Sequence, residues 1–382
     1  MWRTVFLIGV TSLFALFAVE GLAQDVPCIY RPTYVDQPWI HPDLACLEEV
    51  INDPAAGELG FTALAVAPDG TLFATRPLAG EVLALIDTDG DLLPDTARVI
   101  ASGLTLPNGL TYADGALYIV GGSRIYRWQD EMLDILVSDV PSGSGFWTGG
   151  IAVRDRIYIS TGAPCDFCVP DDPTRGAVLS YALDGSDRRI VATGLRSPAD
   201  LAFFGDDLYV LDSAPDGLLG TPELDELNRV TDGADFGFPH CTGAVDDDSA
   251  DCTGVTPPVT TFPTASVPSG LAVYDSDTLP MISDSLLVVL SGSQHDLELR
   301  GYMVDAVRFD EAGAHAEIVI PFQMPPAPPY YHEMLSIEEM NYHGSAFFPN
   351  RPLDVAVSAE GWVYLSISGG RILALRAHFT PG

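Results

Sequence analysis

The sequence predicts an all-β chain closed into a six-bladed β-propeller with a disulfide-stapled N-terminal extension. A hairpin motif that recurs six times and the spacing between its first copies carry that prediction. A third observation agrees with both: 47% of the chain is hydrophobic, while 36 Gly and 30 Pro cut it into segments too short for long helices.

Each copy of the motif is an apolar run, a short polar turn and a second run rich in β-branched and aromatic residues. That is the pattern of two adjacent buried strands. The copies cover 64–75, 110–120, 151–160, 201–211, 271–274 with 285–290, and 355–365. The first four begin at Leu64, Leu110, Ile151 and Leu201, close to the roughly 40–50 residues of one four-stranded blade. The last two begin later, at Leu271 and Val355, leaving room for insertions. One insertion, 212–262, is rich in Gly and Asp. The other, 320–350, holds the proline-rich stretch Pro321 to Pro329, followed by Tyr330, Tyr331, His332, Tyr342 and His343. The expected organisation is a signal peptide at 1–23, an extension at 24–50 packed on the outside, and the propeller at 51–377.

Charge narrows the function. Against 53 acidic residues stand 18 basic ones, a formal net charge of −35, and every basic residue is arginine. So negative a surface repels nucleic-acid backbones and anionic headgroups, which excludes nucleic-acid binding and polybasic membrane docking as main functions. The absence of lysine also excludes a Schiff-base or phosphate-loop lysine.

Arg3, the apolar run Thr4 to Val19 and the small residues Gly21-Leu22-Ala23 before Gln24 read as an export signal, so a periplasmic or secreted location is expected. The cysteines fall into three local couples: Cys28 with Cys46, Cys165 with Cys168, and Cys241 with Cys252. Proximity favours this connectivity among the 15 possible ones. Cys165-Asp166-Phe167-Cys168 also matches half a zinc knuckle or a redox pair. No second pair of that spacing accompanies it, and an oxidising compartment favours a disulfide.

In a propeller the residues just ahead of each inner strand converge on one channel. Here they include Asn108, Trp147-Thr148-Gly149, Arg196-Ser197-Pro198-Ala199-Asp200, Pro268-Ser269-Gly270 and Arg351-Pro352-Leu353-Asp354. Two arginines at corresponding positions suggest a site for an anionic ligand, because guanidinium binds carboxylates in a fork. The competing expectation is that each arginine pairs with a nearby carboxylate such as Asp200 or Asp354.

The stretch Asp225-Glu226-Leu227-Asn228, then Gly233 to Pro239 and Cys241-Thr242-Gly243, resembles the Asp-Glu-Leu-Asn…Gly-x-Tyr-Gly-Trp-Pro-x-Cys-x-Gly signature of the soluble quinoprotein glucose and sorbosone dehydrogenases. Gly194-Leu195-Arg196-Ser197-Pro198, Cys165-x-x-Cys168, Ser269 to Tyr274 and Arg351-Pro352 extend the resemblance over most of 55–376. It implies a six-bladed propeller that oxidises a sugar or polyol hydroxyl by hydride transfer to pyrroloquinoline quinone (PQQ) with Ca²⁺. Arg196, Arg351, Ser197 and Asn108 would then lie at the cofactor, and the carbonyls of Ala214 and Pro215 at its calcium.

The resemblance also implies a histidine base opening the third blade, and there the chain departs, because Trp147 stands in that stretch. The family's cofactor-binding lysine is missing as well, and Ser197 replaces asparagine after the arginine. His295, in Ser291-Gly292-Ser293-Gln294-His295-Asp296, is the nearest substitute base, with His240, His332 and His343 as others. Separately, Asp87, Asp89, Asp91 and Asp95 have the oxygen-rich spacing of a calcium loop, although Leu92 and Arg98 occupy positions where a full loop has Gly and Glu.

The leading reading is therefore an exported sugar or polyol dehydrogenase, with no electron acceptor specified by the sequence. Two alternatives stay open. One is a redox-inactive propeller that binds a carbohydrate or protein partner. The other is a Ca²⁺-dependent lactonase-type hydrolase using Asn108, Asp200 and Asp354.

Overall fold

The computed structural model of the chain describes residues 27–35, 45–215, 224–241, 252–293, 300–320, 347 and 350–377. The expected signal peptide, His295, His332, His343 and most of the proline- and tyrosine-rich insertion lie outside these residues.

The six hairpin copies form the inner two strands of six sheets. Blade I comprises Leu64–Val66, Leu72–Arg76, Glu81–Ile86 and Thr96–Ala101. Blade II comprises Pro107–Ala113, Ala116–Gly121, Arg124–Gln129 and Met132–Val137. Blade III runs Ile151–Val153, Ile157–Thr161, Ala177–Tyr181 and Arg189–Thr193, and the short strand Ala234–Asp235 adds to its edge in parallel. Blade IV holds Pro198–Phe204, Asp207–Asp212, Asp225–Val230 and Thr260–Phe262, and blade V holds Pro268–Tyr274, Ser285–Leu290, Met303–Asp310 and Gly313–Ile320. Blade VI begins with Pro352–Val357, Val363–Ile367 and Arg371–Ala377.

The fourth strand of blade VI comes from the other end of the chain: Ala45–Asn52 pairs antiparallel with Arg371–Ala377. The extension expected to pack on the outside thus supplies a blade strand, and this strand crosses the expected boundary at residue 50. Physically, the pairing zips the two ends together and closes the ring. The Cys28–Cys46 disulfide ties the preceding segment to this strand, and Cys165–Cys168 and Cys241–Cys252 are also formed.

Strand alternation explains why both faces of each blade are apolar. In Ala116–Gly121, Leu117 and Ile119 pack with blade I while Tyr118 and Val120 pack with blade III. The core among the described residues is accordingly a set of six clusters, one at each seam between neighbouring blades. Seams this tight need small residues where inner strands cross. A Cβ on Gly109 would lie 1.8 Å from the Gly149 carbonyl oxygen, so only glycine fits there.

Candidate functional site

One end of the ring opens on a cavity of about 340 Å³ whose wall takes residues from every blade: Thr62, Asn108, Trp147, Ser197, Ser269 and Leu353 among them. These stand where the chain turns into each inner strand, so the convergence expected from the repeat is present. The wall is neutral. It offers hydroxyls, an amide and an indole, and no charged side chain of the described residues lines it. Trp147 is 47% exposed at this wall, and the buried Ser269 Oγ has no hydrogen-bond partner in the protein. An exposed ring beside an unpaired hydroxyl suits a ligand with both apolar faces and hydroxyls.

The two expected arginines flank this cavity without lining it, and each turns into a different seam. Arg196 is buried. Its Nε donates to Asp166 Oδ1 at 2.8 Å, its Nη2 donates to the same oxygen, and its Nη1 donates to the carbonyls of Ser213 and Ala214, both at 2.9 Å. The guanidinium also lies over the Phe146 ring, 4.3 Å from its centroid. Arginine pairing with a carboxylate therefore occurs, but the partner is Asp166 of the Cys165–Cys168 loop rather than Asp200 or Asp354. The Ala214 carbonyl, expected to hold calcium with that of Pro215, accepts from this guanidinium, so a calcium ion on it would stand against a positive charge.

Arg351 is different. Its Nε donates to Ser291 Oγ at 3.2 Å, its Nη1 is buried without a partner among the described residues, and burial pulls its pKa down. A buried, unpaired guanidinium nitrogen is an open position for an anion.

The Asp225–Asn228 stretch builds the scaffold behind Arg196. Asp225 accepts from Ala214 N, Ser266 Oγ and Val267 N, which pins the loops on either side of its strand. Asn228 Nδ2 donates to Glu226 Oε2 at 2.9 Å. Asp212 takes the N–H groups of Arg196 and Ser197. Burial, with Glu226 nearby, pushes Asp212 up to about 8, and burial pushes Asp225 up to about 7.

Ser197 and Asn108 line the cavity, while Asp200 and Asp354 do not. No histidine of the described residues lines it: His240 is exposed in the turn after Pro239, and His315 is exposed on the outer strand of blade V. In the hairpin of blade I, carboxylate oxygens of Asp87, Asp89 and Asp95 lie within 4.8 Å of one another, whereas Asp91 turns elsewhere and accepts from Leu93 N. Sequence reasoning missed Thr62 and gave Asp166 no role. Thr62 sits two residues ahead of the first inner strand, so extending the blade comparison to the first copy finds it. Nothing in the spacing marks Asp166 as a partner of Arg196, thirty residues on.

The comparisons with known proteins agree with this architecture. The sequence model of the family described as "Glucose / Sorbosone dehydrogenase" matches residues 172–307. No curated protein matches the chain by sequence. Among solved structures, the holo form of the pyranose dehydrogenase PQQ domain from Coprinopsis cinerea is similar at 14% identity and a TM-score of 0.67, covering 86% of this chain and 95% of that one. The iodide structure of the Trichoderma reesei carbohydrate-active enzyme of family AA12 gives 14% identity and a TM-score of 0.68, covering 90% and 98%. The apo soluble aldose sugar dehydrogenase from Escherichia coli gives 15% and 0.60, covering 87% and 99%. The fold is the one these structures share, and residues 172–307 are similar to the glucose/sorbosone dehydrogenase family.

Proposed function

We propose that the chain is an exported oxidoreductase that oxidises a hydroxyl of a sugar or polyol, with PQQ as hydride acceptor and Ca²⁺ beside it. The observation that carries this reading is the neutral axial cavity, which joins hydroxyl and amide groups from separate blades to one exposed indole. Neutral polar groups suit a neutral polyhydroxylated substrate, and Trp147 offers its ring to the C–H face of a sugar. The family match and the PQQ and aldose-sugar dehydrogenase structures of the same fold point to the same chemistry.

The unpartnered Arg351 Nη1 is the observation that fits the cofactor, because it provides a buried cationic donor for a carboxylate. Arg351, Ser197 and Asn108 would hold the group. Arg196 would join them only if Asp166 swung away. When bound, PQQ supplies an electrophilic carbonyl that takes the hydride from the substrate carbon. The chain's own part is to orient the substrate against Trp147, to keep bulk water from the cavity floor, and to accept the hydroxyl proton. In this reading His295 takes that proton.

Purified protein titrated with PQQ and Ca²⁺, then assayed with a panel of sugars and a dye acceptor, tests the proposal. Quinone uptake with dye reduction supports it, and the absence of both defeats it. A second reading, sugar binding without redox chemistry, draws on Trp147 at the histidine's place and on the capping of Arg196. Calorimetric sugar binding that is unchanged by quinone and gives no turnover would favour it. The lactonase alternative gains nothing from the geometry, because Asn108 opens on the cavity while Asp200 and Asp354 do not.

A further inference from the structure

The Cys165–Cys168 loop is held differently from the chain around it. It follows the blade III strand Ile157–Thr161, and its disulfide bridges residues only three apart in sequence. Among the described residues, 165–171 make no main-chain hydrogen bond. Two specific ties hold the loop: the disulfide, and the bonds from Arg196 Nε and Nη2 to Asp166 Oδ1. Its base, by contrast, is fixed. Ala163 N donates to the Arg196 carbonyl, and the buried Arg175 donates from Nε to the Gly162 carbonyl at 2.6 Å and from Nη2 to that of Ser144 at 2.7 Å.

The three disulfides also differ in access. Cys28 and Cys46 are both buried, and so is Cys241 of the third bond, whereas Cys165 and Cys168 are each half-buried. Phe167 between them and Val169 beside them are exposed. A reductant therefore reaches this bond more readily than the other two. The Asp166 side chain is 53% exposed and holds Arg196 through a single oxygen. An exposed carboxylate binds a guanidinium weakly by itself, so the closed ring that limits where Asp166 can go supplies much of the hold.

We propose that Cys165–Cys168 is a redox latch on Arg196. Oxidised, it keeps Asp166 on the guanidinium; reduced, it lets Asp166 leave and opens Nε and Nη2 to an anionic ligand. The chemistry is thiol–disulfide exchange with a dithiol. One thiolate of the dithiol attacks a sulfur of the bond, the S–S bond breaks and a mixed disulfide forms. The second thiol of the reductant then displaces the protein sulfur. Two electrons and two protons end on Cys165 and Cys168, and the dithiol leaves as a disulfide. Phe146, which lies against the same guanidinium, lines the axial cavity, so the uncapped arginine borders that cavity. The latch stands on this loop alone; only the identity of the anion as a quinone carboxylate rests on the oxidoreductase reading.

The test uses the full chain without quinone, so that failure here and failure of the oxidoreductase reading are told apart. Limiting dithiothreitol, then iodoacetamide and peptide mapping, gives the order in which the disulfides open. Phenylglyoxal, which modifies accessible guanidinium groups, then reports on Arg196, with the buried Arg175 of the same blade as internal reference. Cys165–Cys168 is expected to open first. Arg196 is then modified about tenfold faster in the reduced protein than in the oxidised one, while Arg175 keeps its rate. Oxidised Asp166→Ala, and the double variant Cys165→Ser with Cys168→Ser, show the fast rate without reductant. Equal Arg196 rates in oxidised and reduced wild type overturn the latch, as does a Cys165–Cys168 bond that opens no sooner than the other two. A parallel rise at Arg175 also overturns it, because the whole blade has then loosened. A slow rate in oxidised Asp166→Ala sinks it as well, since something other than this carboxylate then covers the arginine.

Discussion

Asp166 closes over Arg196: one carboxylate oxygen takes the Nε and Nη2 hydrogens, and the guanidinium is pressed onto Phe146 beneath it. The aspartate sits in the four-residue ring made by the Cys165–Cys168 disulfide and is itself exposed, while the arginine is buried. An internal carboxylate therefore already pairs with the Arg196 guanidinium.

If the oxidoreductase reading is right, Asp166→Asn removes this competitor without removing its bulk. PQQ affinity is then expected to rise by about tenfold, equivalent to about 1.4 kcal/mol. Absorbance titration of the quinone measures this. Weaker binding in the variant would mean that Asp166 supports the cofactor site instead of competing with it.

The contrast between ring and side chains shows what the sequence made legible. Recurring apolar hairpin runs, the first four at blade length, located all six inner hairpins, because strand burial writes directly into residue type. The cysteine couples were legible for the same local reason, since short separations bring partners together. By contrast, Ala45–Asn52 pairs with Arg371–Ala377 across nearly the whole chain, and no local pattern records which edge a strand will join. Asn108 and Ser197 were found because their place follows from the repeat. The direction of Arg196 was not, because it depends on a carboxylate from another blade.

Glycines at the seams carry a stability prediction. Gly109 has no room for a methyl group, since its Cβ would fall 1.8 Å from a carbonyl oxygen of the neighbouring blade. Gly115 also lacks a Cβ, but it lies in a turn at φ +77° with open space around it. Gly109→Ala should cost about 3 kcal/mol or more through forced separation of blades II and III. Gly115→Ala should cost about 1–2 kcal/mol, from backbone conformation alone. Urea unfolding of the two variants tests the order, and equal losses would contradict this account of the seam.

Closure of the ring depends on a buried charge. Glu48, on the N-terminal strand, is fully buried and accepts from Arg31 Nη1 at 2.9 Å and Thr33 Oγ1 at 2.8 Å, with Arg376 Nη1 3.0 Å away. Arg376 is sandwiched further by Trp362, 3.6 Å from the ring centroid. Glu48→Ala would strand two buried guanidinium groups, and the expected loss is about 3–5 kcal/mol. Glu48→Gln keeps the size and part of the hydrogen bonding, and should lose less. Denaturant midpoints give the magnitudes. Limited proteolysis gives the location, because early cleavage within 45–52 is expected only if the strand detaches.

Asp305 yields a pH prediction with a definite sign. It lies on the third strand of blade V, is fully buried, and burial raises its pKa from 3.8 to about 7. Between those two values the folded chain keeps a proton that the unfolded chain releases. Stability must then fall as pH rises from about 4 to about 7, and this contribution levels off above that range. Asp212 and Asp225, also raised by burial, slope in the same direction, so wild type should melt at a higher temperature at pH 5 than at pH 8. Asp305→Asn carries no titrating proton and should narrow that difference, mainly by raising the melting temperature at pH 8. Melting curves at both pH values decide the point. An undiminished difference in Asp305→Asn would mean that the proton taken up on folding resides on another group.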